Sequence, residues 1–277
     1  MMWRDFWNHR GLIWELVKRD LRGRYAGSTL GLTWSIIQPL VWITVYAIAL
    51  GGVAVGRMGG MGRIAEHLPG EPATLPAMYI FILYLCVGII TWNVFQEGTN
   101  RCANVFVENA NLIKKVAFPE SILPVTVILS TIVRFLIELV IFLALVAFLR
   151  YLPGWVLIFV PVILILQIIF TFGISMLLAT LNVFFRDVSH VTAIGLFILF
   201  WLTPIVYPQD FLPDWYERTI LQVHPIHHMI ALYRDVFLNH TAPDPKFLGV
   251  FALMSLGSLA LGTFAYKRLR REIPDFI

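Results

Sequence analysis

Charge is scarce in this chain. Only 14% of its 277 residues are Asp, Glu, Lys or Arg, against 58% hydrophobic, and its mean hydropathy is +0.77. That balance excludes an ordinary water-soluble domain and makes this a membrane protein. Cysteine is almost missing as well. Cys86 and Cys102 fall on one expected helix, sixteen residues and about 24 Å apart, which excludes a disulfide between them. There is no GxxxxGK[S/T] run, nor any Gly-Lys pair, so the sequence carries no recognisable phosphate loop of its own. Any ATP requirement would fall to another subunit. No internal repeat or low-complexity stretch is visible. The first apolar run begins about 30 residues in, without a short h-region and cleavage site, so no cleaved signal peptide is expected.

What is abundant is long apolar sequence. Runs able to cross a bilayer lie at about 33–55, 77–100, 122–149, 155–181, 190–208 and 247–266. The expected fold is therefore an all-α membrane protein with six transmembrane helices, formed by residues 1–277 as a single domain. Placing the N-terminus in the cytoplasm gathers Arg4, Arg10, Lys18, Arg19, Arg22, Arg24, Arg101, Lys114, Lys115, Arg186, Lys267, Arg268, Arg270 and Arg271 on that side. The other side keeps Arg57, Arg63, Arg150, Arg218, Arg234 and Lys246, so both termini are expected inside. The pI of about 9.2 follows from this asymmetry and does not call for nucleic acid.

Ahead of the first run, Leu12, Ile13, Leu16, Val17, Leu21 and Tyr25 recur at helical spacing, with Glu15, Lys18, Arg19 and Arg22 on the other face. The segment 1–30 is expected to hold an amphipathic interface helix on the cytoplasmic leaflet; a helix packed on a soluble partner fits the same pattern. Residues 101–121 interrupt the apolar pattern with a short polar, helix-like piece that stops at Phe118-Pro119. Residues 209–245, on the outer side, read as two short helices at about 213–223 and 225–238, joined at Pro225 and too short to span.

No catalytic constellation assembles from the polar residues. His224, His227 and His228 have only loosely metal-like spacing and no Cys or carboxylate motif beside them, so a loop or helix-end role is expected and no metal is assigned. Within the third run, Arg134 and Glu138 lie one turn apart and are expected to pair, as part of a polar conduit or as a neutralised helix contact. Asn93, Gln96, Glu97, Asn100 and Asn104 form a polar stripe that needs water or hydrogen-bonding neighbours. Trp34, Gln38, Trp42 and Tyr46 follow one another at four-residue intervals along the first run. Rings with polar edges suit the C–H faces and hydroxyls of sugars; the same residue types also populate membrane interfaces and helix cores.

Five stretches, RDLRGRYAGSTLGLTWSIIQPL (19–40), NANLIKKVAFPESILPV (109–125), LNVFFRDV (181–188), LTPIVYP (202–208) and HPIHHMIALYRDVFL (224–238), run in order over nearly the whole chain. Together they resemble the membrane subunit of ABC-2 type polysaccharide exporters, the group that includes O-antigen, teichoic acid and some capsule permeases. RYAGSTLG and LNVFFRDV fit the O-antigen and teichoic acid branch better than the Gram-negative group-two capsule permeases.

The resemblance implies a homodimer of six-helix subunits in the bacterial inner membrane, each docked on an ATP-binding cassette subunit and moving a lipid-linked polysaccharide outward. No cofactor is implied in this chain; ATP and Mg²⁺ would belong to the partner subunit. Residues 109–117 would be a coupling helix, with Asn111, Lys114 and Lys115 as polar contacts and Leu112 and Ile113 as anchors. Arg186 and Asp187 would form a structural or second ATPase-facing element. Arg22 and Arg24 would lie at a lateral portal for the lipid-pyrophosphate head, although basic residues there equally suit membrane lipids. Residues 213–238 become a periplasmic gate, and Phe200, Trp201 and Tyr207 join the aromatic stripe in a sugar-conducting channel. HPIHH departs from the Asn-Pro that commonly opens its segment, which leaves the local turn geometry open; the Arg134–Glu138 pair matches no hallmark of the group.

Two rivals stand beside this reading. A drug- or lipid-exporting ABC-2 permease would differ mainly in whether the aromatic path accepts sugars. A stand-alone membrane enzyme or ion-coupled carrier would need a catalytic cluster or midplane ion ligands, and no ATPase partner.

Overall fold

Helices that are apolar on every side can rest only against lipid or each other, and connecting backbone between them must find its hydrogen bonds inside the protein. A computed structural model describes residues 6–7, 9–24, 27–56, 77–115 and 119–277. Tyr25, Arg57, Arg63 and residues 116–117 of the expected coupling segment lie outside these. All regular structure among the described residues is helical. The principal helices are α1 (Arg10–Gly23), α2 (Trp34–Gly56), α3 (Ala77–Ala103), α4 (Ala110–Lys115), α5 (Ile122–Phe148), α6 (Val160–Phe184), α7 (Val188–Leu202), α8 (Pro225–Phe237) and α9 (Pro245–Leu269).

Four stretches are long and apolar enough to cross a membrane: Met78–Ala103, Ile122–Phe148, Gly154–Phe184 and Pro245–Leu269. The apolar parts of α2 and α7, Ile36–Tyr46 and Val188–Leu202, are shorter. The expected run at 190–208 is helical only as far as Leu202. Thr203 precedes Pro204, whose ring disfavours the helical region for its neighbour, and Thr203 stands at φ −96°, ψ 134°. The segment expected as two simple outer helices is likewise less regular: one turn at Asp214–Tyr216 passes into a π-helical turn at Glu217–Leu221 before α8 begins. Pro225 occupies the first turn of α8, where its missing N–H costs nothing, and His224 caps it by accepting the His227 N–H at 3.2 Å. Asp244 caps α9 in the same manner, accepting from the Lys246 N–H at 2.8 Å.

α3 is the hub. Trp92, Phe81, Leu83 and Leu85 on it are buried in one large core with Phe135 of α5, Ile163 of α6 and Tyr233 of α8. A second core at the other end of the bundle joins Cys102, Phe106, Ile113, Met176, Tyr266 and Ile273. α6 and α9 meet backbone to backbone. A Cβ placed on Gly262 would collide with the Gly173 carbonyl oxygen, and one on Gly173 with the Ser258–Leu259 backbone, so only glycine permits this approach. The Ser258 hydroxyl donates to the Phe170 carbonyl at 3.2 Å across the same contact. The outward faces of α7 and α9 are apolar and open, with Val191, Ile194, Leu253 and Phe264 exposed, as lipid contact requires.

Candidate functional site

α2, α3, α5 and α7 enclose a cleft of about 430 Å³. Its walls are Gln38, Pro39, Trp42 and Tyr46 from α2, Ile89, Trp92, Asn93 and Gln96 from α3, Arg134 from α5, and Ala193, Phe197, Phe200 and Trp201 from α7. The rings form a continuous chain. Trp42 stacks on Tyr46 at 6.0 Å between centroids, Tyr46 meets Phe200 at 6.2 Å, and Phe200 meets Trp92 at 5.7 Å and Trp201 at 5.4 Å. The Trp92 indole N–H donates to Gln96 Oε1 at 3.0 Å, while Trp42 and Trp201 are each about half exposed. Flat hydrophobic faces therefore alternate with amide groups and one guanidinium, a lining that can stack on ring C–H faces and also bond hydroxyls.

The cleft gathers Gln38, Trp42, Tyr46, Phe200 and Trp201 of the expected channel set. Two others stand apart from its walls. Trp34 is exposed, its indole N–H donating to the Ser28 hydroxyl at 3.1 Å, and the Tyr207 hydroxyl donates to the Trp201 carbonyl at 2.5 Å. Four-residue steps advance about 40° each around a helix, so a stripe of this kind leaves its starting face within three steps. Trp92 was not legible as a site residue, because it lies inside a run apolar enough to be explained by burial alone.

Behind the cleft lies a network of three arginines and three carboxylates. Arg134 Nη1 donates to Glu97 Oε2 at 2.8 Å and its Nε to Glu138 Oε1 at 2.9 Å. Glu97 also pairs with Arg24 and, at 3.6 Å, with Arg101. Asp20 closes the set, accepting from Arg101 at 2.5 Å and lying 3.4 Å from Arg24. The buried Ser130 hydroxyl accepts from Arg24 at 3.4 Å and Arg101 at 3.3 Å. The network thus runs from the amphipathic α1 through α3 to the middle of α5, and its formal charges cancel. Arg24 points into it, whereas Arg22 is exposed on α1. Asp20 is held below the ordinary carboxylate value of 3.8: burial alone would raise it, but the Ser130 hydroxyl and the Arg101 and Arg24 charges outweigh burial.

The ABC-2 type transporter family profile matches residues 11–238, a stretch that contains all of the cleft and the whole network. The chain belongs to this family. It is accordingly a transport subunit, threaded several times through a membrane. It is 27% identical over 275 residues to the O-antigen export system permease protein RfbA of Myxococcus xanthus, covering 99% of this chain and 98% of that one. Against an RfbA of Klebsiella pneumoniae the identity is 29% over 267 residues, 96% and 95% of the two chains. The polysialic acid transport protein KpsM of Escherichia coli matches at 22% over 260 residues, 91% of each chain.

On this ABC-2 subunit the segments around α4 and the α6–α7 turn form one surface. Asn111 and Lys114 are exposed, Leu112 is partly buried, Ile113 is buried in the second core, and Lys115 closes α4. Lys114 Nζ donates to the main-chain oxygen of Ile277 at 2.5 Å, and Arg186 Nη2 to that of Phe276 at 3.4 Å. The Phe276 ring rests on Phe184 at 4.9 Å. Residues 273–277 thereby bridge α4 and the Arg186-Asp187 turn, in which Asp187 is exposed. Among the other stripe residues, Asn104 Oδ1 accepts from Asn182 at 3.1 Å, and Asn182 Oδ1 accepts the Ser189 N–H at 2.9 Å, so this part of the stripe is structural.

Proposed function

We propose that this chain is the membrane half of an ATP-driven exporter that carries a lipid-linked, O-antigen-like polysaccharide out across the bacterial inner membrane. The cleft carries the reading: a ring-lined path with Gln38, Asn93 and Gln96 set among aromatic faces suits sugar and offers poor complementarity to a purely apolar drug or lipid tail. Full-length similarity to two permeases named for O-antigen export supports the same choice. Two copies of the chain form the transporter, each with six crossings; α2 and α7 supply the first and fifth, and both termini face the cytoplasm. α1 is the interface helix, with Arg22 toward the pyrophosphate head at the lateral portal. Arg24 would have to surrender Glu97 or Asp20 to bind phosphate, so we assign it to the network. α4 is the coupling helix: Asn111, Lys114 and Lys115 meet an ATP-binding cassette subunit, which holds ATP and Mg²⁺, while Leu112 and Ile113 anchor the helix from behind. The Arg186-Asp187 turn is the second face of that contact, and residues 213–238 are the outer gate.

Depleting the chain from cells and assaying lipid-linked polysaccharide on each side of the inner membrane tests the reading. Accumulation inside with loss outside is the expected result, and normal surface polysaccharide would sink it. Trp42→Ala with Tyr46→Ala should slow export on the order of tenfold with the ATPase still copurifying, which separates a sugar path from core packing. Lys114→Glu with Lys115→Glu should abolish that copurification while leaving membrane insertion intact.

A further inference from the structure

Arg234 was counted among the outer charges of the sequence, yet the fold draws it inward. Its Nη1 donates to the Pro204 carbonyl at 2.9 Å and its Nη2 to the Ile205 carbonyl at 3.0 Å. The guanidinium lies 3.5 Å over the Tyr84 ring, and its Nε is sealed from the surface without a hydrogen-bond acceptor. No carboxylate among the described residues pairs with it. Tyr84 works on the same backbone: its hydroxyl lies 3.2 Å from the Pro204 carbonyl and 2.9 Å from that of Tyr207. Gly88, one turn along α3, leaves the room; a Cβ there would stand 3.0 Å from the Ile205 carbonyl oxygen and 3.1 Å from Arg234 Nη2.

The stretch they hold is the break that follows α7, in which Ile205 and Val206 are fully buried although the backbone is not helical. Buried carbonyls outside a helix must be bonded by something, and here α3 and α8 supply the donors. The break begins at Thr203, two residues beyond Trp201, and the Tyr207 hydroxyl returns to the Trp201 carbonyl. Whatever fixes the break fixes the α7 wall of the cleft at its outer end. The far end of α8 is tied separately, where the Tyr151 hydroxyl donates to the Leu238 carbonyl at 2.7 Å.

We infer that Arg234 and Tyr84 are positioning residues that pin the break after α7 against α3, and so keep the outer end of the cleft closed between export events. The inference rests on the exporter reading. A planar fork is essential to it, because one guanidinium bonds two neighbouring carbonyls while lying flat on a ring, and an ammonium group cannot do both.

The test uses the complete transporter with its ATPase subunit in liposomes loaded with a neutral, fluorescently labelled disaccharide. Arg234→Lys keeps the charge and loses the fork; Tyr84→Phe keeps the ring and loses the hydroxyl. The expected result is a dye leak without ATP that rises at least fivefold for Arg234→Lys and about twofold for Tyr84→Phe, with ATP hydrolysis less tightly tied to export. ATPase copurification should stay near wild type and the folded complex should be retained, with thermal unfolding only a few degrees lower as buried carbonyls lose a donor. Wild-type leak in both variants would overturn the inference. So would a loss of folded complex in both, since that marks a purely structural bond. Wild-type vesicles that retain dye but never export polymer would overturn the exporter reading and this inference with it.

Discussion

The two ends of the bundle solve the same problem differently. At the end proposed to lie inside, Arg24, Arg101 and Arg134 are set among Asp20, Glu97 and Glu138, and Glu97 alone meets all three cations. At the end proposed to lie outside, Arg234 has an aromatic face and two main-chain carbonyls. Ion pairs among several like partners can be exchanged, because a guanidinium released by one carboxylate finds another within a few ångströms. Bonds to two consecutive carbonyls cannot be exchanged, because their direction is fixed by the backbone that carries them. The geometry at the first end thus permits partners to be exchanged, and that at the second holds a single arrangement.

The comparison is broken most strongly at Glu97. Glu97→Ala leaves three arginines facing two carboxylates in a largely closed site and should cost on the order of 3 kcal/mol, read as thermal unfolding in detergent. Removing the Arg101 charge as well, in Glu97→Ala with Arg101→Gln, restores two against two and should recover more than half of that loss. Failure to recover would mean that the network depends on one fixed arrangement. Ser130→Ala comes next, at about 1 kcal/mol, because a buried hydroxyl that accepts from two guanidinium groups disappears.

The smallest effect is in the pH profile, and it separates the ends by where they titrate. In the outer segment, burial, with His228 adding to it, pushes His224 down to about 4 and His227 to about 3 from an ordinary value of 6.5. Both are neutral in the fold, so the unfolded chain binds more protons below pH 6.5, and stability should fall from there toward about pH 3. Asp20, at the inner end, has its folded value depressed. Its contribution is whole above 3.8 and is lost only as pH falls through the folded value. His227→Gln should flatten the upper limb of a stability–pH curve, and Asp20→Asn only the lower one. A single limb removed by either substitution would erase the distinction.

Much of this was legible. The apolar runs marked the helices, but the run expected at 190–208 passed over the Thr203-Pro204 step that ends α7 at Leu202. The inner network was written three times, as Asp20 and Arg24, Glu97 and Arg101, and Arg134 and Glu138, each an opposite-charge pair four residues apart on one helix. From the sequence only the last reads as a pair, because Glu97 sits in a stripe of amides, Arg101 falls among the inner charges, and Arg24 is expected with Arg22 at the lateral portal. That the three pairs meet depends on how α1, α3 and α5 cross, which no local pattern encodes. Arg234 shows the same limit from the other side: a charge count assigns a residue to a side of the membrane and says nothing of its depth. Trp92 and Phe200 are alike in the sequence as aromatics in greasy runs, and only packing sets them ring to ring.

The contact of Gly173 with Gly262 has a mechanical meaning. Two helices whose main chains touch have no side-chain layer between them to shear, so α6 and α9 form a keel. Relative motion within the bundle is then left to the other helices, among them α2 and α7, which carry the cleft walls. If α4 couples to an ATPase as proposed, a keel that stiff would carry its push through the bundle with little lost to shear.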